Sequence, residues 1–132
     1  MSATAAAHTA LPILLIEDEP AVIAFLRAAL ERHGYAVVPV SSGAEGLAKL
    51  SRGHYAGVIS DIRMPGSVNG AEIHSWIREN RPDLAARIIL ISGDTANSET
   101  QALLGNCGTP CMEKPFRVQQ LLSIVEKTFG KP

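Results

Sequence analysis

Short apolar runs alternate with helical patterns five times along the chain. The runs predict strands over residues 13–16, 36–40, 57–60, 87–91 and 109–113, of which the last is the least apolar. The first run, Ile-Leu-Leu-Ile, has no polar alternation, as is typical of a strand covered on both faces. Pro39 has no backbone N–H to donate, so we expect the second strand at an edge of the sheet. Strands that each precede a helix predict an α/β fold, a doubly wound five-stranded parallel sheet with helices on both faces.

Residues that begin and end helices separate these runs. Pro20 suits the first turn of a helix, and Gly34 suits the residue after its end, because glycine readily adopts left-handed backbone. Two pairs fit the capping box, in which side chains at the helix start bond each other's backbone: Ser42 with Glu45, and Asn69 with Glu72. Weaker helical spacing covers residues 96–106, and a final amphipathic helix is predicted to run through Phe129.

The composition fits one globular domain. The chain has 132 residues, of which 46% are hydrophobic and 19% charged, with a formal net charge of −1. A nucleic-acid or membrane-surface binder would show a basic excess, so we expect neither. No apolar stretch approaches the ~18 residues of a membrane span, and residues 1–10 lack the basic and apolar parts of a signal peptide. We predict a disordered arm over residues 1–11, a folded domain over residues 12–130, and a cytoplasmic location.

The cysteines and histidines do not indicate a zinc site. The chain has two cysteines, Cys107 and Cys111, whereas structural zinc needs about four ligands. We interpret both as free thiols of an intracellular protein. The four histidines lie outside the predicted site and are interpreted as ordinary surface residues: His8, His33, His54 and His74.

Candidate site residues directly follow four of the five predicted strands. They are Glu17 and Asp18, Asp61, Ser92, and Lys114. Because a doubly wound sheet binds its ligand beyond the carboxyl ends of its strands, we expect these side chains to meet there. Each one alone has an ordinary interpretation as a helix cap, a turn former or a surface charge. Their coincidence at matching strand ends favours a functional site.

The residue types at this edge indicate phosphoryl chemistry that depends on a metal. Three carboxylates repel one another, and a divalent cation removes that repulsion. Mg²⁺ prefers carboxylate, carbonyl and water oxygens and is commonly shared with a phosphate. Lys114 and Ser92 can donate hydrogen bonds to phosphoryl oxygens. A carboxylate can act as the nucleophile and form an aspartyl phosphate, and Asp61 is our candidate for that role.

Four motifs in order resemble the receiver domain of response regulators. They are Glu17-Asp18, Asp61-Ile-Arg-Met-Pro-Gly, Ser92 and Lys114-Pro115-Phe116, each at the end of a predicted strand. Each motif is weak alone, but the four at this spacing are specific, and the match spans about residues 12–129. The resemblance implies a flavodoxin-like (βα)5 receiver domain of a two-component or phosphorelay system. Such a domain stands alone or belongs to a hybrid histidine kinase.

The resemblance assigns the metal ligands. Asp18 and Asp61 would bind Mg²⁺ directly, and Glu17 would act through a bound water. The backbone carbonyl of Arg63 would complete the protein's share of the metal shell.

The resemblance also assigns the phosphoryl site. Asp61 would be the phosphoacceptor, Ser92 and Lys114 would hold the phosphoryl oxygens, and the peptide between Lys114 and Pro115 would be cis. The donor would be a phosphohistidine on a sensor histidine kinase or a histidine phosphotransfer protein. Output would pass through altered contacts with a downstream protein that the sequence does not identify. The chain would catalyse only its own phosphorylation and dephosphorylation, and so would not be an enzyme in the ordinary sense.

Two features depart from the family pattern. Cys111 stands three residues before the lysine, where the family usually has an aromatic residue, and the loop over residues 64–70 is one residue longer than the common form. These departures leave open an alternative, a receiver-like interaction module that works without phosphorylation. A phosphatase is less favoured, because Arg63 stands where such hydrolases carry a second aspartate. We also hypothesise that Arg63 and Asp94 form an ion pair that shields an aspartyl phosphate from water.

Overall fold

The computed structural model describes residues 11–63, 68–93 and 109–132. Within these ranges it contains five strands and four helices, here numbered in chain order. The strands are β1 (Ile13–Ile16), β2 (Val37–Val40), β3 (Gly57–Asp61), β4 (Ile88–Ser92) and β5 (Cys111–Glu113). The helices are α1 (Pro20–Arg32), α2 (Gly43–Leu50), α3 (Gly70–Asn80) and α4 (Val118–Phe129). Among these helices, none is both long and apolar enough to cross a membrane.

All five strands are parallel and lie in the order β2-β1-β3-β4-β5. Every residue of β1, β3 and β4 is buried, whereas β2 and β5 are partly exposed at the two edges. Pro39 pairs with Leu15 in the edge strand β2, which confirms the predicted edge position. The doubly wound parallel sheet predicted from the alternating pattern is therefore confirmed.

Two separate apolar clusters cover the two faces of the sheet. Alternate side chains of β1 divide between them, with Ile13 and Leu15 on one face and Leu14 and Ile16 on the other. The first cluster packs beneath α1 and α4, and the second packs beneath α2 and α3. The uninterrupted aliphatic run of β1 thus reflects a strand that is buried on both sides.

The helix boundaries follow the predicted capping residues. Gly34 lies just beyond the end of α1 with a φ of 99°, a left-handed conformation that favours glycine. Asn69 and Glu72 form a complete capping box at the start of α3. At the start of α2 the Ser42 hydroxyl accepts a hydrogen bond from the Glu45 backbone N–H at 3.2 Å.

His74 corrects the prediction that the histidines lie on the surface. Its side chain is on α3, is 4% exposed, and has its Nε2 atom 2.7 Å from the Thr109 hydroxyl. Burial, together with the charge of Arg78, lowers its pKa below the ordinary 6.5. The prediction was wrong because a polar residue with one internal hydrogen bond can occupy a core position of an amphipathic helix. His33 and His54 are exposed, as predicted.

Several predictions lie outside the described residues. They concern the arm over residues 1–10, the loop residues 64–67, the helix over residues 96–106, the Asp94 partner of Arg63, and the Cys107 thiol.

Candidate functional site

The carboxyl edge of the sheet brings the predicted residues together. Glu17 and Asp18 follow β1, Asp61 ends β3, Ser92 ends β4, and Lys114 follows β5. The backbone N–H of Lys114 donates to the carbonyl of Ser92 at 2.7 Å, which joins the ends of β4 and β5. Because the strands are parallel and in register, their ends open onto one shared pocket.

Four carboxylates converge at this edge. Glu17, Asp18, Glu19 and Asp61 each offer a carboxylate oxygen, and these oxygens all lie within 4.8 Å of one another. Three of the four were predicted, and Glu19 was not. The acidic run over residues 17–19 was the available signal, but the residue lies one position beyond the motif.

Lys114 lies among these carboxylates. Its Nζ atom is 2.9 Å from Asp61 Oδ2, 3.1 Å from Glu19 Oε1 and 3.2 Å from Glu17 Oε1. The peptide bond between Lys114 and Pro115 is cis, as the resemblance implied. The lysine amine therefore contacts the Asp61 carboxylate directly.

Asp61 is held from both sides. Its Oδ1 atom accepts a hydrogen bond from the backbone N–H of Arg63 at 3.2 Å, and its Oδ2 atom accepts one from Lys114. Gly70, the first residue of α3, packs against its backbone so closely that a Cβ atom there would lie 2.6 Å from the Asp61 carbonyl oxygen. Glycine at position 70 therefore lets the start of α3 pack directly against the backbone of Asp61 and Ile62.

Glu17 carries its carboxylate in an environment that disfavours negative charge. Its side chain is fully buried, and burial raises its pKa from 4.5 to about 7. The hydrogen bond from the Glu19 backbone N–H opposes this rise in pKa, and the negative charge of Asp61 adds to it. The Oε1 atom lies within ion-pair distance of Lys114 but accepts a hydrogen bond from no residue that the structure describes. A buried carboxylate oxygen in this state is costly unless a further cation reaches it.

Lys114 carries the opposing charge. Burial alone would lower its pKa, but the hydrogen bond and charge of Asp61, with the contacts to Glu19 and Glu17, raise the pKa above its ordinary value. The ammonium therefore stays protonated at neutral pH and is available to neutralise negative oxygens.

The donor set fits magnesium. All four converging groups are hard carboxylate oxygens, the type that Mg²⁺ prefers, and one buried oxygen of Glu17 is left without a hydrogen bond among the described residues. One ammonium cannot neutralise four carboxylates, so the cluster has room for a divalent charge. Among the predicted ligands, Glu17, Asp18 and Asp61 are brought together, and the role of the Arg63 carbonyl stays a prediction.

Ser92 and Cys111 lie on the two strands β4 and β5 at one edge of the sheet. Ser92 is 1% exposed at the end of β4, and its predicted role as a phosphoryl ligand stays a prediction. Cys111 is half-buried and packs against the apolar cluster beneath α2 and α3, where the resemblance led us to expect an aromatic residue. This departure from the family pattern therefore persists in the structure.

A doubly wound parallel sheet with carboxylates and one lysine at its carboxyl edge defines a phosphoacceptor class of signalling domain. The family profile of the response regulator receiver domain matches residues 13–126. The chain therefore belongs to the response regulator receiver domain family, whose members are phosphoacceptors in two-component signalling.

Relatives of known sequence agree with this assignment. The chain is 31% identical to the response regulator receiver protein CpdR of Brucella abortus over 115 residues, which cover 87% of this chain and 93% of CpdR. It is 29% identical to the transcriptional regulatory protein TcrA of Mycobacterium tuberculosis over 111 residues, 84% of this chain and 43% of TcrA. The chain thus spans less than half the length of TcrA.

Solved structures share the fold. The receiver domain of the sensor histidine kinase PA1611 of Pseudomonas aeruginosa, with a magnesium ion coordinated in its active site cleft, superposes with a TM-score of 0.80 at 25% identity. That match covers 92% of this chain and 98% of the other. A CheY-like receiver domain protein of Methanospirillum hungatei gives a TM-score of 0.80 at 26% identity, over 90% of this chain and 93% of the other.

Proposed function

We propose that the chain is phosphorylated on Asp61 in a magnesium-dependent reaction. The observation that carries the proposal is the position of the Asp61 carboxylate, 2.9 Å from the Lys114 ammonium and within 4.8 Å of the other acidic oxygens. The magnesium site is proposed to consist of Glu17, Asp18, Asp61 and the backbone carbonyl of Arg63. The bound ion would neutralise the carboxylates and the oxygens of the incoming phosphoryl group.

The chain's own residues would position the transfer. One carboxylate oxygen of Asp61 forms the new bond to phosphorus, and the bond from phosphorus to the donor breaks with its electron pair leaving on the donor. Lys114 would hold a phosphoryl oxygen through its ammonium, and the Ser92 hydroxyl would donate to another. The Arg63 N–H, which already bonds Asp61 Oδ1, would keep the carboxylate oriented during the attack.

The proposed donor is a phosphohistidine on a sensor histidine kinase or a histidine phosphotransfer protein. Support comes from the sensor kinase CckA of Brucella abortus, which is 31% identical over 121 residues that form 12% of CckA. On this proposal, a domain over residues 12–130 follows an arm over residues 1–11, works in the cytoplasm, and binds no nucleic acid. Its chemistry would be confined to its own phosphorylation and dephosphorylation.

A second candidate is an interaction module that works without phosphorylation. The half-buried Cys111 favours it, because the aromatic residue that usually changes position in this family is replaced. The intact acidic cluster and Lys114 weigh against it.

Incubation with acetyl phosphate and Mg²⁺, followed by intact-mass measurement, tests the proposal. The wild-type protein should gain one phosphoryl mass, and Asp61→Asn should gain none. Asp83→Asn removes an exposed aspartate distant from the site and serves as the matched control, which should behave as wild type. A wild type that stays unmodified would favour the interaction module, and modification of Asp61→Asn would place the acceptor elsewhere.

A further inference from the structure

Glu19 occupies an unusual position at the start of α1. It is the residue preceding the helix, a position where the shorter side chains of Ser, Thr, Asp and Asn turn back to accept a hydrogen bond from the first turn. Its side chain makes no such bond within the described part of the chain. Instead, its carboxylate reaches Lys114, 95 positions away along the chain, with Oε1 3.1 Å from Nζ. The Glu19 side chain therefore contacts Lys114 in the pocket rather than capping the helix.

Carboxylates already surround Lys114 in this state of the protein. Its ammonium donates hydrogen bonds to Asp61 and Glu19 at 2.9 and 3.1 Å, and it lies at ion-pair distance, 3.2 Å, from Glu17 Oε1. Phosphorylation of Asp61 would add three strong acceptor oxygens to the same pocket. A phosphoryl oxygen on Asp61 would therefore compete with these carboxylates for the ammonium.

Exposure distinguishes the partner that is released most easily. The side chain of Glu19 is 60% exposed, whereas those of Asp61 and Glu17 are 7% and 0% exposed. A released Glu19 carboxylate is hydrated by solvent at once, so losing its ion pair costs little. Release of Glu17 would leave a buried charge without its cation, which is far more costly.

Building on the function proposed above, we propose that Glu19 is a positioning residue that competes with the phosphoryl group for Lys114. In the unphosphorylated protein it shares the ammonium with Asp61 and holds it over the pocket. On phosphorylation it yields the ammonium to a phosphoryl oxygen. The contact therefore favours the unphosphorylated state.

Two substitutions separate the contact from the charge. Glu19→Gln keeps the shape of the side chain and removes its charge. Glu19→Asp keeps the charge but is one methylene shorter, and an aspartate at this position is expected to bond the helix N–H groups rather than reach Lys114. Neither substitution removes a helix cap that the wild type has. Glu79→Gln, an exposed position on α3, is the matched control for loss of a surface charge.

The readout is the affinity for beryllofluoride, a mimic of the phosphoryl group, measured by calorimetry at saturating Mg²⁺. Saturation with the metal keeps any change in Mg²⁺ affinity out of the comparison. Both Glu19 variants should bind beryllofluoride about two- to five-fold more tightly than wild type, the size expected for loss of a competing exposed ion pair. Glu79→Gln should bind it as wild type does.

Other outcomes overturn the inference. Unchanged or weaker binding in both variants would show that Glu19 does not compete for Lys114. Tighter binding in Glu19→Gln but not in Glu19→Asp would show that the negative charge of Glu19, and not its contact with Lys114, weakens beryllofluoride binding. A wild type that neither binds beryllofluoride nor gains a phosphoryl mass would instead refute the proposed function, and the role of Glu19 would fall with it.

Discussion

The two ends of the sheet satisfy their polar groups in opposite ways. At the amino end, the Tyr35 hydroxyl donates to the Gly130 carbonyl at 2.7 Å, and Arg87 donates to the carbonyl of Phe129 at 3.0 Å. At the carboxyl end, four carboxylates crowd around one ammonium, and a buried oxygen of Glu17 accepts no hydrogen bond from the described residues.

Arg81 shows how the amino end works. Its Nη1 atom donates to the carbonyls of Leu50 and Gly53 at 2.6 and 2.9 Å, while its other nitrogens bond Asp83. One side chain thus satisfies the carbonyls at the end of α2 and pairs its own charge. Each hydrogen bond of this kind stabilises the fold.

The difference shows where the molecule gives up stability for function. At the carboxyl end, burial and the neighbouring charge of Asp61 raise the pKa of Glu17, and the single ammonium of Lys114 relieves the repulsion among the carboxylates only in part. Changes at the amino end should therefore alter stability alone. Changes at the carboxyl end should alter stability in a way that depends on metal and pH.

Magnesium should give the largest effect. At about 100 times its Kd, Mg²⁺ should raise the free energy of unfolding of the wild type by about 3 kcal/mol, because it binds only the folded cluster. Asp18→Asn and Asp61→Asn should lose most of this gain. Thermal unfolding with and without the metal measures it. An amino-end variant such as Arg81→Ala should keep the full gain, and a wild type that Mg²⁺ does not stabilise would contradict the metal site.

Arg81→Ala should give the next largest effect. Loss of its hydrogen bonds to Leu50 and Gly53 should lower the free energy of unfolding by about 2 kcal/mol, with or without Mg²⁺. Urea unfolding measures the loss. Arg27→Ala is the matched control, because Arg27 forms an exposed ion pair with Glu31 within α1 and its loss should cost less than about 0.5 kcal/mol. Equal losses of stability in the two variants would show that the hydrogen bonds of Arg81 stabilise the fold no more than an exposed ion pair does.

Glu17→Gln should stabilise the metal-free protein. The folded protein holds the Glu17 proton more tightly than the unfolded chain, so the free energy of unfolding falls as pH rises from 4.5 to about 7. The rise in pKa from 4.5 to about 7, which already includes the opposing attraction to Lys114, corresponds to at most about 3 kcal/mol. Water that reaches the carboxylate weakens the burial penalty, so we expect a gain of about 1–2 kcal/mol above pH 7.

Denaturant unfolding at a series of pH values, without divalent cations, measures this gain. It should disappear below pH 4.5, where Glu17 is protonated in both the folded and the unfolded states. The same variant should bind Mg²⁺ more weakly. A gain that does not change with pH would rule out the Glu17 carboxylate as its source.

Thr109→Val should give the smallest effect. The substitution preserves the shape of the side chain near the amino end of β5 but removes the hydrogen-bond partner of His74. The expected loss of stability at pH 8 is about 1 kcal/mol. The lowered pKa of His74 adds a second expectation, that the stability of the wild type falls as pH drops below 6.5. His74→Leu should reduce that pH dependence, and a wild-type dependence that survives it would have another source.

The fold could be predicted from the sequence because the apolar runs, the proline of the edge strand and the helix-ending glycine all indicate the same structure. Aliphatic runs without alternation predict buried parallel strands, Pro39 predicts the edge strand, and Gly34 predicts the end of α1, as the structure confirms. The rule that doubly wound sheets bind ligands at the carboxyl ends of their strands then predicts that Asp61 and Lys114 lie close together.

Two features could not be predicted because they depend on side-chain direction. Glu19 looks like a helix-start residue in the sequence, and only the position of Lys114 shows that its carboxylate turns away from the helix. His74 looks like a polar residue on an amphipathic helix, and only the approach of Thr109 explains its burial. Contacts between residues distant in the chain leave no mark on local periodicity.

The most direct test of the account is to locate the phosphoryl group. Borohydride reduction of the phosphorylated protein converts a phosphorylated aspartate to homoserine, which mass spectrometry of peptides can assign to one position. Among the 13 acidic residues of the chain, only position 61 should be converted, and only after incubation with both phosphodonor and Mg²⁺. Conversion at another acidic position, or at none while the phosphoryl mass is present, would contradict the account.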